Sequence, residues 1–79
     1  MRIDQAVRTW REAAGLTQAA AAAQVGITQA AWSRVESGAR FPDESTAAKL
    51  IAAGVFTAEE WGRAAIARAE TGSEAVAAA

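Results

Sequence analysis

An all-α fold, a compact bundle of about five helices containing a helix-turn-helix, is predicted by three features of this sequence. Glycines and a single proline cut the chain into five helix-length pieces, no stretch alternates β-branched and polar residues as a strand would, and apolar residues recur at helical spacing. With 79 residues and no cysteine, there is room for one hydrophobic core and no disulfide to reinforce it. Burial alone must hold the fold.

The first helix is expected from about Ile3 to Ala14, with Ile3, Val7 and Trp10 on one face and Gly15 at its end. Thr17 is placed to cap a second, nearly all-alanine helix that reaches Val25 and is broken by Gly26. The run Ala19 to Ala23 reads as a closely packed helix, since alanine is the best helix former. Thr28 caps the third helix, with Ile27 and Trp32 at hydrophobic-staple spacing and Gly38 at its end. Asp43, after Pro42, caps a fourth helix that reaches Ala53 before Gly54. The fifth has the clearest start, because Thr57 and Glu60 form a capping-box pair and Phe56 and Trp61 have staple spacing. Residues 1–70 are read as one domain, the one that contains the helix-turn-helix. Residues 71–79, TGSEAVAAA, offer little to bury and are read as a flexible C-terminal tail.

Composition narrows the function. Without cysteine or histidine the usual zinc sites are excluded, and no metal or cofactor is expected. No nucleophile–base pair or phosphate-cradling loop is visible, so an enzyme is not expected. Adjacent Glu59 and Glu60 point about 100° apart on a helix, which is wrong for paired acid–base work. No apolar run approaches the roughly 20 residues that span a bilayer, and no signal-peptide pattern opens the chain, so a cytoplasmic location is expected. The net charge of −1 hides an asymmetry. Residues 1–42 carry five arginines against three carboxylates, and residues 43–79 carry three cations against six. Any DNA surface should therefore lie in the first half.

The stretch Gly15 to Gly38, GLTQAAAAAQVGITQAAWSRVESG, has helix-turn-helix spacing. At 100° per residue, Gln29, Ala30, Ser33, Arg34 and Ser37 share an arc of about 140°, opposite Ala31, Trp32 and Val35. That arc suits base edges. Glutamine pairs with adenine, arginine with guanine, and an alanine methyl meets the thymine methyl, while Ser33 can donate to a phosphate. Glu36 falls at the margin of this face, where an unpaired carboxylate would repel phosphates, so it requires a partner. Trp10, Trp32 and Trp61 could form a stacking platform for single strands. Their core-facing or staple positions point to packing instead.

From about residue 3 to 56, the sequence closely resembles the Xre and phage Cro/repressor family of helix-turn-helix regulators. The resemblance rests on VRTWREAAGLTQ, on Ala22 and Gly26, and on ITQAAWSRVESG followed by Pro42. It implies a five-helix bundle bound to double-stranded DNA as a homodimer on a pseudo-palindromic operator, usually for repression. It places Gln29, Ala30 and Arg34 at base-reading positions and Gln18, Thr28, Ser33 and Arg40 near phosphates, and it pairs Arg11 with Glu36. Ala21 stands where the family usually has leucine and Trp32 where it usually has an aliphatic, which reads as compensated volume. Lys49 to Val55 is one residue shorter than the family pattern. Trp61 and Ile66 on the fifth helix offer apolar surface for self-association. The competing function is an antitoxin or similar interaction module, with or without DNA binding, whose acidic second half takes a basic toxin or other partner protein.

Overall fold

The computed structural model describes residues 2–78, with side chains described through Glu70. Five helices follow one another: α1 (Ile3–Ala13), α2 (Gln18–Val25), α3 (Gln29–Glu36), α4 (Glu44–Ala52) and α5 (Ala58–Ala78). No strand occurs among the described residues. The tail expected over residues 71–79 lies outside the described side chains, and no helix among the described residues is long and apolar enough to cross a membrane.

Capping explains where four of the helices start. Thr17 Oγ1 accepts from the Ala20 N–H at 3.1 Å, Thr28 Oγ1 from the Ala31 N–H at 3.0 Å, and Asp43 Oδ1 from the Thr46 N–H at 2.8 Å. At α5 the capping box closes both ways. The Glu60 N–H donates to Thr57 Oγ1 at 3.0 Å and the Thr57 N–H to Glu60 Oε1 at 2.8 Å. α1 differs, since Arg2 precedes it without a side-chain cap.

Between α2 and α3 the chain has only Gly26, Ile27 and Thr28 in which to turn. Gly26 makes the reversal at φ +90°, with its N–H on the Ala22 carbonyl oxygen at 2.8 Å. A residue with a Cβ is strained there.

The core runs through Val7, Ala21, Ala22, Trp32, Val35, Ala47, Leu50 and Phe56. Trp32 is fully buried, and Trp10 leans on it with ring centroids 5.8 Å apart. Ala21 is also fully buried in the same core cluster. Ala31, expected in the core, is only half-buried. Trp61 packs at the edge of the core and stacks on Phe41 at 6.1 Å, with its Nε1–H donating to the Pro42 carbonyl oxygen at 3.0 Å. α5 is thereby pinned to the α3–α4 loop.

Candidate nucleic-acid interface

α3 stands on α2 and α1 with one face turned outward. Gln29, Ala30, Arg34 and Ser37 are exposed on that face, and Ser33 is half-buried. The opposite face buries Trp32 and Val35. Arg34 makes no ion pair among the described residues, so its five N–H donors are available to a ligand.

At the base of α3 the structure corrects one expectation. Glu36 does not sit at the margin of the outer face but is buried, with 3% of its surface exposed. Arg11 Nε donates to Glu36 Oε1 at 2.9 Å and Arg11 Nη2 lies 2.8 Å from the same oxygen. Arg11 Nη1 also donates to the Leu16 carbonyl oxygen at 3.0 Å, which fixes the guanidinium between α1 and the loop before α2. The expected pair is present. Two further partners, absent from the sequence expectation, complete the site: Gln18 Nε2 donates to Glu36 Oε2 at 2.5 Å, and Arg8 Nε lies 3.8 Å from Oε1.

Burial alone would raise the Glu36 pKa. Hydrogen bonds from Arg11 and Gln18, with the charges of Arg11 and Arg8, outweigh burial and hold it below the ordinary value of 4.5. The carboxylate is therefore neutralised where it stands, and the outer face of α3 meets a ligand without a carboxylate of its own.

Of the residues assigned to phosphates, Gln18 and Thr28 are at helix starts, Ser33 is midway along α3, and Arg40 is in the loop that follows it. Gln18 opens α2, half-buried, and its second amide N–H is left after the bond to Glu36. Thr28 is exposed, and its hydroxyl accepts the cap bond while keeping its own hydrogen to donate. Arg40 is exposed in the α3–α4 loop and makes no ion pair with Asp43 or Glu44. Its charge nevertheless contributes, after the hydrogen bonds from Thr46, to holding the Asp43 pKa below its ordinary value of 3.8. Arg34 and Arg40 line a common cleft with Ala31 and Pro42. No group of three or more His, Cys, Asp or Glu among the described residues could hold a metal ion.

Residues 5–60, more than half of the chain, match a family model described as a helix-turn-helix domain. No curated protein and no solved structure matches the chain.

Proposed function

The chain belongs to the helix-turn-helix domain family, and on that premise we propose that it is a sequence-specific DNA-binding regulator acting as a homodimeric repressor on a pseudo-palindromic operator. The observation that carries this reading is the outer face of α3, where Gln29, Ala30 and Arg34 are exposed together and the nearest buried carboxylate is already neutralised.

In this mechanism α3 enters the major groove and α2 lies across the backbone. Gln29 reads adenine through its amide, Arg34 reads guanine O6 and N7, and the Ala30 methyl meets a thymine methyl. Gln18, Thr28, Ser33 and Arg40 hold phosphates and so set the register of α3 in the groove. The Arg11–Glu36–Gln18 network links α1, α2 and α3 directly beneath these contacts. It keeps Gln18 and the reading face in a fixed relation. Two chains related by a dyad would read two half-sites, and their occupancy would exclude other proteins from the same stretch of DNA.

Selection of bound duplexes from a random pool tests the proposal. The expected product is an inverted repeat whose half-site centres lie about one helical turn, roughly 34 Å, apart. Recovery of sequences with no common element would refute sequence-specific reading.

A further inference from the structure

Outside the reading face lies an open groove of about 710 Å³, where the start of α1, the α3–α4 loop and α5 meet. Arg2, Arg40 and Arg68 line it, each from a different part of the chain, with Asp4 as the carboxylate among them and Phe41 in the wall. Asp4 is already engaged. Arg2 Nε and Nη2 donate to its two oxygens at 3.1 and 2.8 Å. Among the described residues neither Arg40 nor Arg68 pairs with a carboxylate. The other α5 arginine, Arg63, is tied to Glu59 one turn away. Among the described residues of the acidic half, the arginine without a carboxylate partner is thus the one that shares this groove with Arg40.

Arg68 is also shaped for an anion. Its guanidinium lies over the Phe41 ring, 5.1 Å from the centroid, and Phe41 in turn stacks on Trp61. A guanidinium held by its flat face keeps its N–H donors free in the plane, the arrangement that binds phosphate oxygens in pairs. The Trp61 bond to the Pro42 carbonyl oxygen ties this stack to the loop that carries Arg40. Arg40 lines both this groove and the cleft it shares with Arg34. The positive surface of α3 therefore continues into the groove.

We propose that this groove seats a segment of DNA backbone outside the bases read by α3, with Arg40 and Arg68 as its phosphate contacts and Arg2, restrained by Asp4, as a weaker third. The proposal rests on the DNA-binding reading above and adds α5 to the interface. A contact of this kind adds affinity without sequence preference, and it registers in the salt dependence of binding, where each neutralised phosphate contributes a slope of about −0.9.

The test compares wild type with Arg68→Gln, Arg68→Lys and Arg40→Gln on the selected operator and on an unrelated duplex, with binding constants measured across a salt series. It is combined with phosphate-ethylation interference on the operator. Arg68→Gln is expected to reduce the slope by about 1 on both duplexes, to leave base preference intact and to abolish interference at one or two phosphates per half-site. Arg40→Gln should behave likewise, and Arg68→Lys should keep most of the slope. An Arg68→Gln protein with unchanged slope and unchanged interference overturns the proposal. So does one that loses affinity at constant slope, since that would be a packing effect of the Phe41 stack. Wild type that binds no duplex would defeat the DNA-binding reading itself, whereas wild type that binds its operator indifferently to Arg68 defeats this inference alone.

Discussion

Glu36 is a carboxylate inside the core, held by a guanidinium, an amide and a second arginine. Removing one partner of such a buried pair leaves the other uncompensated, which costs about 3–5 kcal/mol. Arg11→Ala should therefore lower the midpoint of thermal unfolding by many degrees, and a shift too small to measure would exclude an energetic role for the pair. The lowered pKa of Glu36 sets the pH dependence. A carboxylate with a folded pKa below its unfolded value contributes stability above that unfolded value, here 4.5, and loses it as pH falls through the folded pKa. Wild type should keep this contribution above about pH 4.5 and lose it as pH falls from there through the lower folded value. Glu36→Gln should begin less stable and change less over that interval in urea unfolding. Trp32 supplies a second test, because its Nε1–H is buried without a partner among the described residues. Trp32→Phe removes that orphan donor, relief worth about 1–3 kcal/mol, and so offsets the lost ring area. Its cost should stay below about 1.5 kcal/mol, against about 3–5 kcal/mol for Trp32→Ala. A Trp32→Phe cost as large as the lost ring area alone predicts would show that the orphan donor carries no penalty.

At the scale of elements, the helix starts were legible because capping is local. Thr17, Thr28, Asp43 and the Thr57–Glu60 box each act within three residues of sequence, and all four form as the spacing predicts. α1 ends one residue earlier than expected, at Ala13. What the sequence could not display was partner choice across helices. Trp61 has the spacing of a staple with Phe56, yet it stacks on Phe41, twenty residues away in the chain. Gln18 looks like a free amide at a helix start until the fold brings Glu36 beside it. In the site, the exposed arc of α3 followed from helical periodicity, whereas the burial of Glu36 and the groove around Arg68 depend on how α1 and α5 pack. The turn between α2 and α3 has its own prediction. A Cβ on Gly26 would meet no atom within 4 Å, so Gly26→Ala is opposed only by left-handed backbone strain. Its cost should be about 1–2 kcal/mol in chemical denaturation. A neutral substitution would mean that the turn relaxes out of this conformation.

For the whole molecule, Arg34 and Arg40 of the basic half meet in one cleft, with Asp43 of the acidic half in its wall. Ile66 stands apart from the core on α5, with 63% of its surface exposed. Trp61 is already used within its own chain, so among the described residues Ile66 is the large apolar side chain of α5 left exposed for a second copy. Ile66→Glu should leave the fold within about 0.5 kcal/mol of wild type, as expected of an exposed site. It should also weaken cooperative occupancy of paired half-sites. Sedimentation of the complex that still finds two chains per operator at the wild-type affinity would place self-association elsewhere.

Base reading by α3 is tested most directly by comparing Gln29→Ala with Gln18→Ala across a library of operators bearing single base changes, at one fixed salt concentration. Losing a bidentate base contact removes about 1–3 kcal/mol of discrimination at one position, whereas losing a phosphate contact weakens all sequences alike. Gln29→Ala should relax preference at one base pair in each half-site and leave the others intact, while Gln18→Ala should lower affinity with every preference retained. A uniform loss of affinity in Gln29→Ala, with all base preferences unchanged, would contradict the assignment of α3 as the reading helix and remove the role given to Arg34 on the same face.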